Sequence, residues 1–108
     1  MSQRMPKVNE LLRSNIAQII ERELEFPNSL VTVTNVDCAS DFGSANVWIS
    51  ILPANKTGST IKQLRGKSNF VRSKLSALIR LRRLPELRFV IDDTEEHASE
   101  IEKIIAQF

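Results

Sequence analysis

Most residues here that could do chemistry are cations, and they are clustered. Between Lys62 and Arg88 stand Lys62, Arg65, Lys67, Arg72, Lys74, Arg80, Arg82, Arg83 and Arg88, against one acid, Glu86. From Asp92 to Lys103 the sign reverses, with six acids and one lysine. Six of the nine cations are arginine, whose planar fork suits phosphate better than it suits mere solubility. A basic stretch beside an acidic one in so short a chain points to a surface that meets phosphate, with the acids kept away. The formal net charge of +2 hides this asymmetry.

Other chemistries fail on inventory. One His (His97) and one Cys (Cys38), far apart in sequence, cannot supply a zinc site. No Ser-His-Asp arrangement can be assembled except around His97, which sits among acids as a solvated residue would. Asp92-Asp93 and Glu95-Glu96 read as caps and dipole partners at the start of a helix. Gly66-Lys67-Ser68 looks like the end of a phosphate-binding P-loop. That motif needs a glycine where Ile61 stands and a strand where Thr60–Arg65 is helical. Cys38 has no disulfide partner in the chain and reads as a small apolar residue. No catalytic set and no cofactor are expected.

The elements that must position the cations follow from periodicity. Val8, Leu11, Leu12, Ile16, Ile19, Ile20 and Leu24 recur at helical spacing, predicting a helix over about 6–25 that stops before Pro27. Leu30–Val36 is dense in β-branched residues and alternates; Ala45, Val47, Ile49 and Ile51 alternate with Asn46, Trp48 and Ser50. The turn residues of 37–43 join these strands as an antiparallel hairpin, and Pro53–Gly58 reads as a loop. Ile61, Leu64, Val71, Leu75, Leu78 and Ile79 follow the helical period. Gly66-Lys67-Ser68-Asn69 contains three poor helix formers, costing about 2 kcal/mol relative to alanines. Two helices are therefore predicted, about 59–66 and 69–82, with Pro85 as the stop. Leu87, Phe89 and Ile91 give a third strand, and Ala98, Ile101, Ile104, Ile105 and Phe108 line a last helix over about 94–108. The order α-β-β-α-α-β-α predicts an α+β domain with helices on one face of a three-stranded sheet. At 108 residues, residues 1–108 make one domain. The polar, basic start and the absence of a long apolar run give the expectation of a soluble, intracellular protein.

At 100° per residue Arg65, Arg72 and Arg83 fall within about 20° of one another, with Lys62 and Arg80 about 60° further round. One exposed basic stripe beside the buried face is the expectation, with a helix N-terminus at Gly66–Asn69 inside it. Trp48 and Phe70 are the only aromatics that are candidates for a place outside the core. Recognition through shape and phosphates is favoured over base stacking.

Several motifs run together along nearly the whole chain: Arg4 to Glu21, Val31-Thr32-Val33-Thr34-Asn35-Val36, Asp41, Ala45-Asn46-Val47-Trp48-Ile49-Ser50 and Phe70-Val71-Arg72-Ser73-Lys74-Leu75. The most specific is Arg82-x-x-Pro85-Glu86-Leu87-x-Phe89-x-x-Asp92. In these the chain resembles the ribosome-binding factor A family. The resemblance implies a type-II KH-like fold and a non-catalytic cytoplasmic factor. Its partner would be the 16S rRNA within the free 30S ribosomal subunit, whose late maturation and rRNA 5′-end processing it would assist. A monomer with no cofactor and no membrane partner is implied. The family replaces the two-glycine KH loop by an Ala-x-Gly helix–kink–helix, matched here by Lys67-Ser68-Asn69, whose outer residues both depart from that pattern. Asn69 tolerates a left-handed backbone and would stand in for the glycine.

The expected RNA-binding residues are accordingly Lys62, Arg65, Lys67, Ser68, Asn69, Arg72, Arg80, Arg82 and Arg83, with Arg4, Lys7 and Arg13 extending the patch. The competing reading, from another class, is a KH-like adaptor whose basic face docks an acidic protein.

Overall fold

The computed structural model describes residues 4–92. A 20-residue helix, α1 (Arg4–Glu23), comes first. Val8, Leu12, Ile16, Ile19 and Ile20 are buried along it, whereas Leu11 is 42% exposed and falls off the predicted stripe. The helix stops two residues before the predicted end. The Leu24 N–H still donates to the Ile20 carbonyl at 3.2 Å, and the Leu24 side chain packs against the core.

Strands β1 (Leu30–Cys38) and β2 (Ser44–Leu52) form the predicted antiparallel hairpin. β1 runs two residues further than expected, and its alternation does not continue unbroken. Val33 pairs with Ile49 and Asn35 with Trp48, so Thr34 is an extra residue, a β-bulge. The bulge resets the phase, so that Val36 and Cys38 turn inward after Val33. Without it Asn35 and Asp37 would be driven into the core. The Thr34 hydroxyl holds the bulge: it lies 3.3 Å from the Trp48 carbonyl and donates to the Asp92 carboxylate at 2.5 Å. Asp92 itself sits beyond the third strand, its N–H bonded to the Ile49 carbonyl at 2.8 Å. One short bond to a charged acceptor thus ties the first strand across the second to the end of the third.

The stretch read as a loop after β2 is more ordered than predicted. Ala54–Lys56 form one 3₁₀ turn, and α2 (Thr57–Arg65) starts directly behind it. Buried Thr60 meets the Ser29 hydroxyl at 2.9 Å, anchoring α2 to the approach of β1. α3 (Ser68–Leu78) and β3 (Glu86–Ile91) complete the described chain. The sheet order is β1-β2-β3, with β3 parallel to β2. A parallel neighbour requires a crossover connection, and α2 and α3 are that crossover. The predicted last helix, about 94–108, lies outside the described residues.

Helices and sheet share one core. Leu12 and Ile16 of α1, Val47 and Ile49 of β2, Leu64 of α2 and Val71 and Leu75 of α3 are fully buried together. This is the α+β, type-II KH-like architecture expected, with helices on one face of the sheet. On the other face Trp48 is half-buried, between Asn35 and Val90 of the flanking strands. Cys38 is buried as a small apolar residue; burial, with Asp37 and Asp41 nearby, pushes its thiol pKa up and keeps it protonated.

Because Thr34 joins three strands through one bond to a carboxylate, Thr34→Val should destabilise the domain by about 1–2 kcal/mol. The check is a urea midpoint lowered at unchanged m-value.

Candidate nucleic-acid interface

The site is assembled on the crossover. In α2, Thr60, Ile61 and Leu64 go inward; in α3, Val71 and Leu75 do. Burying those residues leaves Lys62, Arg65, Lys67, Asn69 and Arg72 exposed and Ser68 half-buried. The break between the helices is two residues wide, as predicted, but lies one residue earlier, at Gly66 and Lys67. Gly66 closes α2 with φ −66° and ψ −17°, and Lys67 precedes α3 with φ −103° and ψ 8°. Both are ordinary right-handed or bridge conformations. Asn69 lies inside α3, so the expected left-handed substitute for glycine is not used. Among the described residues only Phe42, in the hairpin turn, has a positive φ (61°).

The second correction is larger. α3 ends at Leu78, not near 82, because Ile79 is extended (φ −134°, ψ 155°). From there Ile79, Leu81, Leu84 and Pro85 turn toward the core, while Arg80, Arg82 and Arg83 stay exposed. The alternation of Ile79 and Leu81 with Arg80 and Arg82 is an extended-chain pattern, and burial of the apolar set overrides continuation of the helix. The helical stripe aligning Arg83 with Arg65 and Arg72 therefore does not form. Arg80, Arg82 and Arg83 instead project from an irregular segment.

That segment is nonetheless held against α3. Arg72 Nε donates to the Pro85 carbonyl at 3.0 Å, and its Nη2 to the Leu84 carbonyl at 2.7 Å. Arg65 Nε donates to the Phe89 carbonyl of β3 at 3.1 Å. In a parallel ladder a residue's N–H and C=O point to the same side. Glu86 and Asp92 bond inward to Gly43 and Ile49, so Phe89 presents its carbonyl to the free edge. Arg65 satisfies that edge. Between it and β3 runs an open groove lined by Arg65, Ser68, Asn46, Arg88 and Val90. Arg65 and Arg72 thus build the basic side as well as charge it.

The carbonyls they bind are neutral, so both charges remain in the field. Among the described residues the ion pairs are Arg13 with Glu10, Lys74 with Glu23 at 4.0 Å and Arg88 with Glu86 at 3.9 Å. Lys62, Arg65, Lys67, Arg72, Arg80, Arg82 and Arg83 have no acid of the described residues within that reach. Cations without acid partners among the described residues raise a positive potential that draws polyanions. The α3 N-terminus adds to it: Lys67 supplies no side-chain cap and the first turn holds no acid.

Of the proposed extension along α1, Arg13 is not brought to this side. Arg4 opens α1 and Lys7 is exposed on it. Arg13 is hydrogen-bonded to Glu10, which raises the arginine's pKa and lowers the carboxyl's. It lines a groove with Leu30 to Val33 of β1, at the opposite edge of the sheet from β3. Two residues at the site were missed from sequence. Arg88 faces the groove, which its place on a strand beside Leu87 and Phe89 signals. Phe70, on the exposed side of α3, lies between Lys67 and Lys74.

Comparison with known proteins gives a consistent picture. A family model described as ribosome-binding factor A matches residues 4–105. The ribosome-binding factor A of Chlorobium phaeobacteroides is 38% identical over 110 residues, covering 99% of this chain and 95% of that protein. The crystal structure of ribosome-binding factor A from Thermus thermophilus superposes with a TM-score of 0.71 at 24% identity, over 81% of this chain and 93% of that one. A homology model of the Thermus thermophilus factor, fitted into the cryo-EM map of its complex with the 30S subunit, superposes with a TM-score of 0.68 at 25% identity. That match covers 78% of this chain and 90% of the other. No helix among the described residues is long and apolar enough to cross a membrane.

If Arg72 is structural and Lys62 is not, truncation separates them. Arg72→Met should lower stability by about 1 kcal/mol and Lys62→Met by less than about 0.5 kcal/mol, read from urea midpoints of the two variants.

Proposed function

From the premise that the chain belongs to the ribosome-binding factor A family, we propose that it is a non-catalytic assembly factor binding the 16S rRNA of the free 30S subunit. It would act in the cytoplasm as a monomeric single domain, residues 1–108, assisting late maturation and 5′-end processing of that rRNA. The relative fitted into a 30S complex supports the choice of partner. The observation that carries the reading is the set of seven cations around the α2–α3 turn and the 79–85 segment that lack acid partners among the described residues.

In this reading Lys62, Lys67, Arg80, Arg82 and Arg83 neutralise phosphates, and Arg65 and Arg72 hold the groove edge while adding charge. Ser68 and Asn69 bring first-turn N–H groups that lack intrahelical acceptors to a phosphate. Arg88 takes the far wall of the groove. Affinity built this way comes largely from counterion release and falls steeply with salt. A factor that must leave once its subunit is mature is well served by so reversible a contact. Arg4, Lys7 and Arg13 would at most meet a second stretch of RNA on the α1 side.

The test is a sucrose gradient of cell extract with the protein followed by antibody. Co-migration with free small subunits, not with translating ribosomes, and release at high salt is the expected result. The Lys62→Gln, Arg82→Gln, Arg83→Gln triple variant should leave the subunit at lower salt. Protein found only at the top of the gradient in gentle salt would overturn the reading in favour of an acidic protein partner.

A further inference from the structure

Phe70 sits in the first turn of α3, one residue before buried Val71 and hence about 100° round from the stripe that Val71 and Leu75 bury. It is 38% exposed, a large aromatic left at the surface beside the most basic part of the molecule. Two lysines frame its ring. Lys67, three residues before, places its ammonium 5.9 Å from the ring centroid, and Lys74, four residues after, at 5.5 Å. The helical repeat explains the geometry, since positions three and four apart share a face.

A flat apolar ring between two ammonium groups is complementary to a nucleotide: a π-face for the base and cations for the phosphates on either side. An intact duplex closes its base faces by stacking, so only an unpaired base can use the plate. The lysines are no obstacle. An exposed ammonium on a phenyl ring is weakly held, and Lys74 is already shared with Glu23 at 4.0 Å. Both stems are long enough to swing from the ring to a phosphate. The α3 first-turn N–H groups beside Phe70 favour the same polyanion.

We propose that Phe70, flanked by Lys67 and Lys74, is a stacking platform for one unpaired nucleotide of the bound RNA. This rests on the RNA-binding reading above and deepens it. Phosphates would set the affinity of the basic side, and Phe70 would make it prefer single-stranded over double-stranded RNA.

The probe is a single-stranded RNA of about a dozen nucleotides carrying one 2-aminopurine, beside a blunt duplex of the same sequence. Phe70→Ala should weaken single-strand binding roughly tenfold, within the range for loss of one stacked base. It should also abolish the 2-aminopurine quench and leave both the duplex affinity and the salt slope unchanged. Phe70→Leu, which keeps apolar bulk without a flat ring, should lose as much, and Phe70→Trp should retain binding and quench. Rescue by Phe70→Leu would show a merely apolar contact and overturn the proposal. So would unchanged single-strand affinity in Phe70→Ala while the Lys62, Arg82, Arg83 variant weakens, a result that leaves the basic side standing. Absence of RNA binding by the wild-type protein would overturn both readings. Loss in Phe70→Ala of an acidic protein captured from nuclease-treated extract, with RNA affinity intact, would reassign the plate to a protein partner.

Discussion

Parallel pairing of β3 beside β2 is the constraint on which the rest of the molecule depends. A parallel strand cannot be reached by a tight turn, so the chain between Leu52 and Glu86 must cross one face of the sheet. That crossing is made by α2, a two-residue turn and α3, which bury Ile61, Leu64, Val71 and Leu75 in the common core. The cations proposed to bind RNA occupy the outer side of this compulsory connection. Arg65 and Arg72 are used twice. Their guanidinium groups satisfy carbonyls of β3 and of the segment leading to it, and their charge still faces solvent. Fold and site are thus coupled at these two residues, and uncoupled at Lys62, Arg80, Arg82 and Arg83.

The two edges of the sheet differ in electrostatic character. At the β3 edge Glu86 meets Arg88, and Lys62, Arg65, Lys67, Arg72, Arg80, Arg82 and Arg83 have no acid partner among the described residues. At the β1 edge, Arg13 is neutralised by Glu10, and Glu21 shares its groove. In the RNA-binding reading proposed above, a polyanion approaching the domain is steered to the β3 side. The bond from Thr34 to Asp92 ties the β1 bulge to the end of β3, across the sheet from the α2–α3 turn.

Much of this was legible in the sequence because local periodicity and global packing agree. The strand alternation of β2 and β3, the helical stripe of α1 and the glycine break at 66 all read directly. What failed depended on distant partners. The bulge at Thr34 is held by a carboxylate 58 residues later, and only the shift of apolar phase from Val33 to Val36 marks it locally. The end of α3 was overrun because Leu78 and Ile79 fit a helical period as well as the true two-residue alternation of Ile79 and Leu81; buried Pro85 decided between them. Arg65 and Arg72 were recognisable as cations but not as hydrogen-bond donors to backbone carbonyls. Phe70 was legible as an aromatic outside the core, but its place between two lysines, which sets it at the site, depends on the helix geometry of α3.

The central claim is that the crossover, and not another face, engages the small ribosomal subunit. Amide hydrogen exchange of the protein, free and mixed with purified free small subunits, tests it most directly. The account predicts slowed exchange at Gly66–Phe70 and through the 79–84 segment, with the β1 edge at Leu30–Val33 unchanged. Protection confined to α1 and the β1 edge, or none anywhere at low salt, would contradict it.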